Sequence, residues 1–255
     1  MKHTAFLTGA ASGIGFATAS ALYQRGWTLG LADINSTALQ QLTEGWDAQR
    51  CHRYSLDVTD AGAFTAAVAD FAGHNGGRLE LLFNCAGILA IDRFENIAAS
   101  HHRQIMDINV LGVIHGCQAA FPWLRQTRGA LVINMSSASA TYGIPHMASY
   151  SASKFAVSGL TEALQLEWEE YGIRVCDVMP PFVSTPMLDS QTAAAPVLNR
   201  LGVHLQAADV TAVILRQIEA PRTHRTVSLQ FALAYGLSQL LPRRVTRAVL
   251  RFLNR

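Results

Sequence analysis

The 255-residue chain is 50% hydrophobic and 15% charged, which excludes a disordered polymer and fits a large buried core. A net charge of +2 gives no whole-chain sign of a nucleic-acid partner, and no apolar run reaches the roughly 18 residues that a membrane span needs. The charge is unevenly placed: seven arginines after Glu219 give the last 36 residues +7 and leave −5 on the first 219.

The opening MKHTAFLTGA has too short an apolar run for a secretion signal. Cys51, Cys85, Cys117 and Cys176 form no CxxC pair, so reduced, buried thiols and a cytoplasmic setting are expected. Strand-like and helical patterns then alternate. A strand at 4–8 leads to a helix at 14–25, a strand at 28–34 to a helix at 36–45, and a strand at 52–58 to a helix at 60–74. A strand at 79–86 precedes a helix at 98–125, a strand at 130–136 precedes a helix at 150–171, and a strand at 174–179 precedes a helix at 208–220. A last strand is expected at 226–230. This order predicts one α/β domain with a parallel sheet of about seven strands and helices on both faces.

Between the first strand and helix lies TGAASGIG, Thr8 to Gly15. Gly9, Gly13 and Gly15 permit a tight turn and close approach to a pyrophosphate, and the helix start offers free N–H groups to the phosphates. Asp33 ends the second strand, where a carboxylate accepts hydrogen bonds from an adenosine ribose and repels a 2′-phosphate. No arginine or lysine adjoins it, and Ser12 occupies the loop, so NAD is favoured over NADP. The nine histidines show no metal-ligand spacing and no metal is expected. His101 and His102 read as a solvated helix start, and His146 as a surface loop residue with the substrate pocket as the alternative.

These glycines, Asp33, LDV at 56–58, NCAG at 84–87, Asn109 in MDINVLGV, INMSS at 133–137 and Tyr150-x-x-x-Lys154 together resemble the short-chain dehydrogenase/reductase family from about residue 4 to 190. The resemblance implies a single Rossmann-type doubly wound sheet and hydride transfer between a nicotinamide cofactor and an alcohol or ketone. It implies that Tyr150 exchanges the substrate proton and Ser137 holds the substrate oxygen. Lys154 would grip the nicotinamide ribose, and Asn109 would hold a water linking the lysine to solvent. A phenol active near neutrality needs roughly 4 kcal/mol of help, and an ammonium at about 4 Å supplies about that much before desolvation. Matching positions imply cofactor contacts from Ile14, Asp57, Val58, Asn84, Ala86, Gly87, Pro180, Val183 and Thr185. Pro181 stands where the family usually has glycine, and Cys85 replaces a commoner asparagine, with packing as its expected role.

The expected substrate lid, about 187–207, carries Leu188, Val197, Leu198, Leu201, Val203 and Leu205, with Asp189 and Arg200 its only full charges. It points to a small lipophilic alcohol or ketone of steroid, retinoid or fatty-chain type. Residues 1–235 would form the catalytic domain and 236–255 a basic amphipathic helix. In that helix Leu241, Val245, Ala248, Val249, Phe252 and Leu253 oppose Arg243, Arg244, Arg247, Arg251 and Arg255. Such a helix packs on protein or lies peripherally on an anionic membrane. The resemblance also implies a homodimer or homotetramer built on the helices at 98–125 and 150–171. Two rivals remain: an NADP-linked ketone or acyl reductase, and a nonenzymatic NAD-binding scaffold or sensor.

Overall fold

The computed structural model describes residues 3–191, 195–240, 244–245 and 251. Strands β1 (Thr4–Thr8), β2 (Thr28–Asp33), β3 (Cys51–Ser55), β4 (Leu81–Asn84), β5 (Leu131–Met135) and β6 (Arg174–Met179) alternate with helices. The helices of this half are α1 (Gly13–Gln24), α2 (Ser36–Leu42), α3 (Ala61–His74), α4 (Ala99–Met106), α5 (Gly112–Leu124) and α6 (Ala148–Glu167). There follow β7 (Val183–Ser184), α7 (Pro186–Asp189), α8 (Pro196–Leu201), β8 (Leu205–Gln206), α9 (Ala207–Glu219), β9 (His224–Thr226) and α10 (Leu229–Leu240).

The seven-stranded sheet runs β3-β2-β1-β4-β5-β6-β9, parallel throughout. Every residue of β1, β4 and β5 is buried, as expected where helices cover both faces. Leu7, Leu31 and Ile133 pack under α1 and α9, while Phe6, Leu82 and Val132 pack under α3, α5 and α6. Strand order reverses between β1 and β4, and the crevice at their carboxyl ends is where such sheets bind ligands.

Three expectations change. The helix at 98–125 is divided: α4 and α5 are joined by a π-helical turn, Asp107–Leu111, that holds Asn109. The last strand is His224–Thr226, not 226–230. Ser228 ends it, because its Oγ accepts from the Phe231 amide at 3.1 Å and so caps α10. The alternation at Val227 and Leu229 that reads as strand is thus the entry to a helix. That helix runs through position 235, where the sequence places a boundary. Of the basic amphipathic segment, Leu241, Arg243, Arg247, Ala248, Val249, Phe252, Leu253 and Arg255 lie outside the described residues. The described Arg244, Val245 and Arg251 are exposed. Among the described residues no helix is long and apolar enough to cross a membrane.

Candidate active site

β1 delivers the chain into the glycine turn at the switch point. Gly9 has φ +65°, and a Cβ there would lie 2.8 Å from the Ala86 nitrogen; one on Gly15 would lie 1.9 Å from the Gly9 carbonyl oxygen. The turn closes only without side chains at these two positions. Thr8 Oγ1 accepts from the Cys85 and Ala86 amides at 3.1 and 3.2 Å, which ties the ends of β1 and β4 together. Asp33 accepts from the Ala11 amide at 2.9 Å and the Asn35 amide at 2.9 Å, so its carboxylate braces the glycine turn as well as facing the cavity. Asp57 similarly accepts from the Thr59 amide and hydroxyl at 2.9 and 2.8 Å.

A cavity of about 840 Å³ extends from this turn across the ends of β4, β5 and β6 to α10. Gly9, Ser12, Gly13, Ile14, Gly15, Asp33, Asp57, Val58, Ala86 and Gly87 line one end; Pro180, Val183 and Thr185 line the side beneath the lid. These residues fit a dinucleotide: a cradle that a Cβ would fill, a helix N-terminus beside it, and a carboxylate beyond. Pro181 adjoins them through a trans peptide bond and lines the same wall.

Ser137, Tyr150 and Lys154 converge in the middle of the cavity. Ser137 follows β5, and the other two stand one turn apart on α6. Lys154 Nζ donates to the Met135 carbonyl at 2.8 Å and lies 5.5 Å from the Tyr150 ring centre. Burial drops the Lys154 amine to about 8, against the raising influence of Cys85 and Asp177. Burial pushes the Tyr150 phenol up to about 12, and the hydrogen bond from Ser137 lowers it only in part. Desolvation dominates at Tyr150, while the Lys154 ammonium spends a donor on a backbone carbonyl. Cys85 borders the same wall, its thiol pushed up to about 12 by burial, which fits packing rather than nucleophilic reactivity.

Two expected site residues stand behind the cavity lining. Asn109 is fully buried; its Oδ1 accepts from the Ile88 amide at 2.8 Å, and its Nδ2 donates to the Ile88 carbonyl at 2.9 Å and Ser153 Oγ at 3.1 Å. Its side-chain amide is thus occupied in locking the segment after β4 to α6. Asn84 donates to Asn134 Oδ1 at 2.9 Å beneath the sheet ends. His146 is a half-buried loop residue outside the cavity, and His102 meets Ser149 Oγ at 2.6 Å near the start of α4.

The substrate end is mostly apolar. Ile144, Met147, Phe182 and Leu188 meet Ala195 and Val197 from the lid, and Leu205 joins the cavity wall. Phe231, Ala234, Tyr235 and Leu237 of α10 complete that wall. Reading 226–230 as strand hid this contribution; the serine cap at Ser228 was the signal that could have exposed it.

Residues 3–196 match the sequence profile described as short chain dehydrogenase. The chain is 32% identical to cyclohexanol dehydrogenase of Acinetobacter sp. (strain SE19) over 83% of its own length and 86% of that protein's. It is 34% identical to D-threitol dehydrogenase of Mycolicibacterium smegmatis over 72% and 71% of the two lengths. Among solved structures, a short chain dehydrogenase/reductase from Burkholderia phymatum in complex with NAD superposes with a TM-score of 0.83 at 26% identity, covering 92% of each chain.

Proposed function

Because the chain belongs to the short-chain dehydrogenase family, we propose that it is an NAD-dependent oxidoreductase of lipophilic secondary alcohols and ketones. One observation carries the reading: Ser137, Tyr150 and Lys154 share a cavity with the glycine turn, and its substrate end is mostly apolar. When bound, NAD supplies a hydride acceptor with a positively charged ring. The chain's own part is positional and acid–base. Ser137 Oγ holds the substrate oxygen, the Tyr150 hydroxyl oxygen takes or returns its proton, and Lys154 Nζ supplies positive charge beside it. The apolar wall excludes water from that exchange. Asp33 favours NAD, since its carboxylate repels a 2′-phosphate.

Two relatives bracket the substrate: one is named for a cyclic alcohol, the other for a polyol. Phe182, Leu188 and Phe231 offer no partners for a polyol's hydroxyls, which favours the apolar class. The test is NADH formation from a panel led by cyclohexanol, with Tyr150→Phe as control. Turnover that disappears in the variant while NADH binding persists supports the reading. Bound NAD with no turnover across the panel favours the scaffold or sensor, and tighter binding of NADPH than NADH favours the NADP-linked reductase.

Exposed Met106, Leu111, Phe155 and Leu166 on and beside α4, α5 and α6 favour assembly into a homodimer or homotetramer, which light scattering resolves. Peripheral membrane contact is a second reading. Leu229, Leu233 and Leu237 recur every four residues along α10 and are 77%, 61% and 58% exposed, next to the arginine-rich end. Flotation with anionic vesicles tests it, and recovery unchanged by Arg244→Glu with Arg251→Glu removes it.

A further inference from the structure

Tyr150, Lys154, Ser158 and Glu162 stand at four-residue intervals along α6, running from the cavity to the surface. Facing this ladder is a carboxylate that the proposed chemistry does not use. Asp177 lies within β6 and is fully buried. Its neighbours Cys176 and Val178 point to the α1 and α9 side, whereas Asp177 points to α6. Oδ2 accepts from Ser158 Oγ at 2.8 Å and meets His224 Nδ1 at 3.0 Å; His224 Nε2 lies 3.0 Å from Glu162 Oε1 at the surface. Oδ1 is buried with no hydrogen-bond partner among the described residues. Towards the cavity, Ser158 Oγ lies 3.4 Å from Ser136 Oγ, and Ser136 follows the Met135 carbonyl that receives Lys154. Polar contacts thus run from the cavity wall through a buried carboxylate to solvent.

A buried, half-satisfied carboxylate is costly in a sheet interior and calls for a compensating charge. The titratable groups around it are Lys154 and Glu162 of α6, His224 of β9, and Tyr235 of α10, with the Cys85 thiol beyond Lys154. Arg225 of β9 is directed elsewhere, to Gln217 Oε1 and the Ala220 carbonyl. Lys154 is the amine on the cavity side of this cluster, one helical turn from the Ser158 hydroxyl that donates to Asp177, and Asp177 acts on it against the effect of burial.

We propose that Asp177 is a positioning residue whose carboxylate keeps the Lys154 amine cationic at the cavity wall, with His224 and Glu162 connecting that carboxylate to solvent. This rests on the role assigned to Lys154, but its test reads the lysine directly. The chain has two lysines, Lys2 and Lys154, so ε-carbon-labelled lysine gives two NMR signals that Lys2→Arg assigns. In Asp177→Asn the Lys154 titration midpoint is expected to fall by about half a pH unit or more, because a charge in a poorly screened site has been removed. Asp177→Ser removes the same charge with a smaller side chain, and the fall should recur if either variant folds. A midpoint that stays in place, or rises, overturns the proposal. With cyclohexanol, the alkaline limb of kcat/KM should move down together with the NMR midpoint. Absence of cyclohexanol turnover counts against the proposed activity alone, and the NMR midpoint then decides the role of Asp177.

Discussion

Lys154 Nζ reaches the carbonyl of Met135 at 2.8 Å and so fastens α6 to the end of β5. That bond holds an amine in a place that disfavours its charge: Lys154 is 5% exposed, and burial takes it from 10.5 to about 8. The drop corresponds to roughly 3 kcal/mol against the charged form. Lys154→Met removes this penalty and gives up one hydrogen bond. The expected net gain is about 1–2 kcal/mol, or roughly 2–8 °C in Tm, with turnover lost. Calorimetry of the two proteins at neutral pH checks it; an unchanged or lower Tm contradicts the strain assigned to the lysine.

Gly15 and Gly9 touch where no side chain fits, whereas a Cβ on Gly143 would meet nothing within 4 Å. Gly15→Ala must push the first turn of α1 away from the cavity. NADH affinity is expected to drop by about tenfold or more, as a phosphate cradle loses its backbone alignment. Gly143→Ala should leave affinity unchanged. Fluorescence titration of both variants separates this contact from a general effect of added methyl groups.

Asp33 has two duties, bracing the Ala11 amide and presenting a negative charge to the cavity. Asp33→Asn retains an acceptor oxygen and removes the charge. The expected result is tighter NADPH binding, by about tenfold for one lost repulsion of roughly 1.4 kcal/mol, with a smaller loss for NADH. Competition between the two nucleotides measures the ratio. If the ratio does not move, cofactor choice lies elsewhere in the cavity.

The parallel sheet was legible because β1, β4 and β5 each hold at least three consecutive apolar residues, and the glycine turn because its spacing has a steric cause. Ser137, Tyr150 and Lys154 were legible as positions, but their electrostatics were not. The energy of the Tyr150 phenol depends on how deeply it is buried and where the lysine donates, and neither is written in a Tyr-x-x-x-Lys spacing. Asn109 illustrates a different loss, since the π-helical turn rotates its amide onto Ile88 and Ser153. Asp177 went unnoticed because a carboxylate in a strand pattern gives no sign of facing a histidine 47 positions away.

That distant histidine makes the fold's stability depend on pH. The hydrogen bond to Asp177 raises His224 above its ordinary value, with burial opposing. A group raised in the folded state contributes stability that is complete below its unfolded value, near 6.5, and is lost as pH climbs through the folded value. Asp177 is also raised, by burial, so it acts in the same direction from a lower pH. Lys154 is lowered, so its penalty persists below about 8 and is relieved only towards 10.5. His224→Gln should therefore lower Tm most at pH 6 and progressively less as pH rises towards 9. Melting curves of both proteins across that range test the assignment: a deficit that does not change with pH would mean that His224 acts through packing alone, and one that widens towards pH 9 would reverse the sign assigned to its charge.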